Sequence, residues 1–189
     1  MNIVFATNNS NKIKEVQALL PSHIKLVSLE EIGCLEDIPE TQDTIEGNAI
    51  QKADYIKEHY GLDCFADDTG LEVMALDGAP GVYSARYAGP LRNADDNMNL
   101  VLSELASKDN RSARFKTVIA MHFQGEFITF EGICEGKISK NKTGTGGFGY
   151  DPIFQPKSYE KTFAEISLEE KNRIGHRGKA ISKLVKYFE

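Results

Sequence analysis

Two carboxylates stand side by side in Phe65-Ala66-Asp67-Asp68-Thr69-Gly70, at the end of an apolar run. Adjacent like charges are costly unless a cation or solvent offsets them. A hard divalent ion such as Mg²⁺ takes such oxygens and keeps waters for a phosphate ligand. An exposed acidic turn has the same local composition, but an apolar strand here would deliver the pair to an edge of a sheet. A second stretch, Thr7-Asn8-Asn9-Ser10-Asn11-Lys12, falls between a buried strand and an amphipathic helix. Amides at a helix start, small polar side chains and one lysine suit a phosphate. Taken alone, the stretch reads first as a polar turn with an N-cap. The stretch lacks the glycines and the Gly-Lys-Ser/Thr ending of a Walker A loop.

Three further groups of residues could join them. Glu40, in Asp37-Ile38-Pro39-Glu40-Thr41, could add a carboxylate to a metal site, and Lys52 could meet an anion; both also read as solvated surface residues. Gly144-Thr145-Gly146-Gly147-Phe148-Gly149-Tyr150-Asp151-Pro152 contains G-x-G-x-x-G. The dinucleotide reading needs a helix opening inside the motif, and Asp151-Pro152 begins none, so that reading is rejected. A glycine-rich loop carrying Phe148 and Tyr150 could instead approach and stack on a flat ring. Lys171, His176 and Arg177 fall within two turns of the last helical region, where they could meet phosphate or base carbonyls, or form a basic surface face.

The elements that must position these residues follow from periodicity. Residues 2–6 read as a short buried strand and 24–27 as another. Residues 12–20 and 44–60 read as amphipathic helices, the second with Ile45, Ala49, Ala53, Ile56 and Tyr60 inward. Strands are expected at 63–67 and 71–75. Asn93 can cap a helix to about Ser107. Residues 112–123 and 126–138 read as long strands joined by a turn at Gln124-Gly125. A last helical region begins at Ser167, where Ser167 and Glu170 match the capping box. A continuous helix there puts His176 opposite the apolar stripe of Ile174, Ile181, Leu184, Val185 and Phe188. The alternation predicts an α/β fold with a mixed sheet flanked by helices.

Composition narrows the classes. A chain of 189 residues fits a single domain, 1–189. The net charge of −6 argues against a nucleic-acid surface, which needs clustered Lys and Arg. No apolar stretch approaches membrane-spanning length, so no membrane role is expected. Three scattered cysteines, Cys34, Cys64 and Cys134, make a disulfide framework or zinc site a poor reading and suit a reduced cytoplasmic protein.

Together these segments resemble the inosine triphosphate pyrophosphatase family, whose members are also described as dITP/XTP pyrophosphatases. The matching pieces are Thr7-x-Asn9-x-x-Lys12, Glu40-Thr41 with Asn48-Ala49 and Lys52-Ala53, Ala66 to Leu71, Gly78 to Tyr87, Gly144 to Pro152, Glu170-Lys171 and His176-Arg177-Gly178. The resemblance implies an elongated mixed sheet flanked by helices, two lobes with a central cleft, and a homodimer. It implies Mg²⁺ held by Glu40 and Asp68, with Asp68 as general base. Thr7, Asn8, Asn9, Ser10, Asn11, Lys12 and Lys171 would hold phosphates, with Lys52, Thr69 and Arg86 as further substrate contacts. Phe148, Gly149, Tyr150, Asp151, His176 and Arg177 would frame the base. The chain departs from the pattern at Gly175, where the family usually has Ser, and at Gly47, where it often has Glu.

Overall fold

The computed structural model describes residues 1–189. Strand β1 (Asn2–Phe5) leads into helix α1 (Ser10–Gln17), strand β2 (Lys25–Val27) and helix α2 (Ile45–Tyr60). Strand β3 (Cys64–Val73), helix α3 (Ala94–Glu104) and the long strands β4 (Ser112–Phe123) and β5 (Glu126–Ile138) follow. Strand β6 (Phe154–Pro156) and helices α4 (Leu168–Ile174) and α5 (His176–Tyr187) complete the chain. The strand order is β2-β1-β3-β4-β5-β6. β1 runs parallel to β2 and β3, and β6 runs antiparallel to β5, so the sheet is mixed, as the alternation predicts.

The chain divides into two compact units, each made of separate segments. The first comprises Met1–Asp68, Thr117–Gly132 and Arg177–Glu189; the second comprises Thr69–Lys116 and Ile133–His176. In the first unit, strand alternation sorts side chains onto two faces. Val4, Ala6, Cys64, Ala66, Val118 and Ala120 pack with Ile45, Ala49, Ala53 and Ile56 of α2. Ile3, Phe5, Phe65, Ile119 and Met121 pack with Val16 of α1 and with Ala180, Ile181 and Leu184 of α5. Each large side chain so buried contributes about 1.5–3 kcal/mol of transfer free energy. The second unit has its own core, in which Leu71, Val73, Val101, Leu105, Ile153, Phe154 and Phe163 are fully buried.

Local signals explain most boundaries. Asn9 caps α1 by accepting from the Asn11 and Lys12 amides, so the helix starts at Ser10, two residues before the periodicity predicts. Thr44 caps α2, and Gly61, left-handed at φ 68°, ends it. Asn93 caps α3 as expected. Gln124 and Gly125 both have positive φ, the requirement of a two-residue hairpin turn between β4 and β5.

Three expectations need correction. The strands expected at 63–67 and 71–75 are one strand, because Leu71 and Val73 continue its buried alternation past the acidic pair. Asp67 and Asp68 therefore sit within β3, an interior strand of the sheet, rather than at a strand end on an edge. The last helical region breaks at Gly175, whose ψ of 163° is extended. The break resets the phase, so His176 is buried rather than turned away from the apolar side. Finally, Ser167 caps α4 through the Glu170 amide, but the Glu170 carboxylate goes to Arg173 and Tyr159. A reciprocal capping box does occur nearby, between Thr162 and Glu165.

Candidate active site

The end of β1 creates the first half of the site. Val4 and Ala6 donate their amides to the carbonyls of Asp63, just before β3, and of Phe65 within it. β1 stops at Phe5, so the next carbonyl on that edge, Asp67, lies beyond the ladder. Lysines fill the place of the missing strand: Lys52 Nζ donates to the Asp67 carbonyl at 2.8 Å, and Lys12 Nζ approaches it at 3.4 Å. The same alternation that sorts the core sends the two carboxylates to opposite faces. Asp67 shares the face of Phe65, covered by α1 and α5. There its Oδ1 accepts from Lys12 Nζ at 3.0 Å and its Oδ2 from Arg177 Nε at 3.2 Å. Asp68 shares the face of Ala66, covered by α2. Its Oδ1 lies 3.8 Å from Lys52 Nζ, which also donates to Glu40 Oε1 at 2.5 Å.

Environment then separates two chemically identical groups. The Asp67 side chain is 1% exposed and the Asp68 side chain 13%. Burial opposes ionisation of Asp67, but Lys12, Arg177 and Lys52 outweigh it and hold its carboxyl well below the usual range. Burial pushes the Asp68 carboxyl up; Lys52 and Lys12 oppose the rise, while Glu40 and Asp67 add to it. Burial also pulls Lys12 below the usual lysine value despite Asp67. Lys52 is pulled down by burial too, but Asp68, Glu40 and Asp67 carry it above the usual value. Asp67 is thus a fixed anion in an ion-pair network, and Asp68 is the accessible carboxylate with an affinity for protons.

A divalent ion suits this arrangement. Mg²⁺ binds through one or two carboxylates and completes its shell with water and phosphate oxygens. Glu40 and Asp68, whose side chains are 30% and 13% exposed, supply two carboxylates that both approach the Lys52 ammonium.

The Thr7–Lys12 turn is exposed apart from the half-buried Thr7 and Lys12. Its amides are less open than the sequence suggests. The Asn9 amide donates to Thr7 Oγ1, and those of Asn11 and Lys12 donate to Asn9 Oδ1. An anion here competes with these caps, while the Lys12 ammonium is held at Asp67.

The second unit collects the remaining predicted residues. Asp151 is buried, and its Oδ2 accepts from Lys171 Nζ at 2.6 Å and from the Phe148 amide at 2.9 Å. A Cβ on Gly147 would overlap that carboxylate, so only glycine lets the loop wrap it. Lys171 Nζ also lies 4.8 Å from the Phe148 ring centroid, within cation–π range. Tyr150 is buried and donates to the Ser84 carbonyl at 2.6 Å. His176 stacks on Phe115 with centroids 4.5 Å apart and planes 17° from parallel. Thr69 opens this unit, half-buried, and Arg86 lies 5.2 Å over the Tyr83 ring.

His176 and Arg177, adjacent in sequence, therefore belong to different units. Arg177 is 3% exposed, and its guanidinium engages Asp67 and Glu15. Burial works against its charge, but Asp67 and Glu15 hold it above the usual value. Glu15 is a buried participant that the motifs do not mark. The available signal is its place one turn after Lys12 and next to Val16, on the inward face of α1.

Comparison with known proteins gives a consistent result. A family model described as the Ham1 family matches residues 3–187. The chain is 63% identical over 185 residues to a dITP/XTP pyrophosphatase of Flavobacterium johnsoniae, with 98% of this chain and 96% of the relative covered. It is 51% identical over 183 residues to a dITP/XTP pyrophosphatase of Porphyromonas gingivalis, covering 96% and 94%. The solved Ham1 protein of Staphylococcus aureus superposes with a TM-score of 0.91 at 39% identity, covering 100% of this chain and 98% of that one. A HAM1 protein from Coxiella burnetii gives 0.92 at 40% identity, with coverage of 100% and 98%.

Proposed function

The chain belongs to the Ham1 family, and from that premise we propose that it hydrolyses the deaminated purine nucleoside triphosphates ITP, dITP and XTP to the monophosphate and pyrophosphate. Such an activity clears these nucleotides from the precursor pool. The observation that carries the reading is the split acidic pair: Asp67 is locked between Lys12 and Arg177, while Asp68 is left accessible with its proton affinity raised.

The residues have distinct tasks. Lys12 and Lys52 set positive charge along the unpaired edge of β3, where it offsets phosphate oxygens and the leaving pyrophosphate. The Thr7–Lys12 turn and Lys171 add phosphate donors. Asp68 takes a proton from a water as that water's oxygen bonds to the α-phosphorus. The α–β phosphoanhydride bond breaks, and its electron pair leaves with pyrophosphate. Glu40 and Asp68 would hold Mg²⁺, which supplies Lewis-acid neutralisation of the phosphate charge. Little covalent work falls to the protein, so positioning dominates.

Base selection rests on second-unit residues. Phe148 and Tyr150 bring aromatic surface, and His176 offers a donor suited to a 6-keto oxygen. Adenine presents an amino donor at that position and leaves a buried donor unpaired, a mismatch worth on the order of 10⁴-fold in such sites. The reading includes Mg²⁺ dependence, a homodimer in the cytoplasm, and no nucleic-acid or membrane partner.

A panel of triphosphates with Mg²⁺ and pyrophosphate detection tests it. Rapid pyrophosphate release from ITP, dITP and XTP, with slow release from ATP and GTP, is expected. Comparable kcat/KM for GTP and ITP removes the specificity claim. Reaction in ¹⁸O-water is expected to label the monophosphate; label in pyrophosphate places attack elsewhere.

A further inference from the structure

The segment that carries Glu40 has no regular structure, yet its backbone lies against α2 in a fixed antiparallel register. Gln42 donates its amide to Asn48 Oδ1 at 2.9 Å. Thr41 donates its amide to Gln51 Oε1 at 2.8 Å, and Gln51 Nε2 donates back to Thr41 Oγ1 at 2.9 Å. Glu40 accepts from Lys52. Glu36 Oε1 accepts from the hydroxyls of Tyr55, at 3.0 Å, and Tyr60, at 2.8 Å. As the segment descends from 42 to 36, its partners ascend from 48 through 51, 52 and 55 to 60. Positions 48, 51, 52 and 55 form one helical stripe, so a straight stretch of chain can bond to all of them.

Two further facts show that this register is built. Asn48 is 1% exposed, too buried to serve as a solvated surface amide. A Cβ on Gly47 would come within 2.8 Å of the Gln42 Cβ and 2.9 Å of Thr44 Oγ1, so a larger residue there would push the segment off the helix. The Gly47 departure from the family pattern thus coincides with a close approach of the loop.

We propose that Asn48 and Gln51 are positioning residues for the metal site: they grip the peptides that follow Glu40 and hold its carboxylate where, with Asp68, it can ligate a divalent cation. Neither side chain is a ligand. Both act through the Glu40 backbone, and the Glu36 clasp to Tyr55 and Tyr60 anchors the other end of the segment. The inference rests on the reading of Glu40 and Asp68 as the metal carboxylates. A freely hinged Glu40 would pay conformational entropy on each metal binding, which the grip removes in advance.

Mn²⁺ binding to the free full-length protein, followed by electron paramagnetic resonance, tests this without turnover. Residues that orient a metal ligand from behind are typically worth about 10–100-fold in affinity, so Gln51→Ala is expected to weaken Mn²⁺ binding by about ten-fold while its Tm stays near that of the wild type. Thr41→Val loses the Oγ1 acceptor at nearly constant shape and is expected to weaken binding less. Thr41→Ser keeps both bonds and is expected to bind as the wild type does. Equal Mn²⁺ affinity in Gln51→Ala, Thr41→Val and the wild type overturns the positioning role, provided that Glu40→Gln abolishes binding. Wild-type binding by Glu40→Gln instead overturns the underlying metal assignment, and the proposal with it.

Discussion

Asp67 and Asp68 differ only in which face of β3 they leave, and that difference assigns them opposite costs on substitution. Asp67 balances Lys12 and Arg177 in a buried network. Asp67→Asn leaves those two cations facing a neutral amide, and breaking a buried pair in this way costs about 3–5 kcal/mol. Asp68 is raised by burial, so the folded state already disfavours its charge. Asp68→Asn should therefore leave Tm unchanged or slightly higher while turnover falls by about 10²–10⁴-fold, the usual contribution of a positioned base. Thermal denaturation beside steady-state pyrophosphate release separates the two variants. A stable Asp67→Asn, or an active Asp68→Asn, contradicts the division. The sequence displays the pair but not the division, because alternation assigns faces only once the strand's neighbours are known. The ladder ends at Phe5, and that is what exposes the Asp67 carbonyl to two lysines.

At the scale of elements, most helices and strands were legible because cap residues and apolar periods are local signals. Thr44, Asn93 and the Gln124-Gly125 turn mark boundaries that the chain adopts. The break between α4 and α5 was hidden, since its apolar positions also fit a single helix. The junction is close-packed: a Cβ on Gly175 would sit 2.5 Å from the Lys171 carbonyl oxygen, which already accepts the Gly175 amide at 2.7 Å. Gly175→Ser should cost about 1–3 kcal/mol, in line with other overpacked sites. It should also disturb the stacking of His176 on Phe115, visible as a shifted His176 ring proton resonance. Unchanged stability and an unchanged resonance would mean that the junction relaxes freely. The segment before α2 makes a separate, pH-dependent prediction. The Tyr60 hydroxyl, then Glu36's own backbone amide and the Tyr55 hydroxyl, hold the Glu36 carboxyl down at about 2, against an ordinary value of 4.5. A depressed carboxylate adds stability above its unfolded value and loses it as pH falls through the folded one. The Tm advantage of the wild type over Glu36→Gln should thus be complete above about pH 4.5 and fade toward about pH 2. A difference independent of pH across that window would assign the clasp to packing rather than charge.

For the whole molecule, a net charge of −6 coexists with a ligand class that is itself strongly anionic. The fold reconciles the two by drawing Lys12, Lys52 and Arg177 to one stretch of β3 in the first unit, from α1, α2 and the distant α5. No local window of sequence reveals that convergence, because Arg177 and Asp67 stand 110 residues apart. The return of α5 to the first unit brings them together, and Ala180, Ile181 and Leu184 are buried in the core that secures it. Leu184 is fully buried beside Ile3, Phe5 and Phe65 on the face that Asp67 shares. Leu184→Ala should therefore cost about 2–5 kcal/mol, with the upper part of that range if the cavity cannot collapse. Urea denaturation should show a lower midpoint with an unchanged slope. Activity per folded molecule should fall as well, because looser docking of α5 moves Arg177 and so frees Asp67 to compete for Lys12. A large loss of stability with full activity in the folded fraction would show that Arg177 is held by its ion pairs with Asp67 and Glu15 alone, independently of the packing of the helix that carries it.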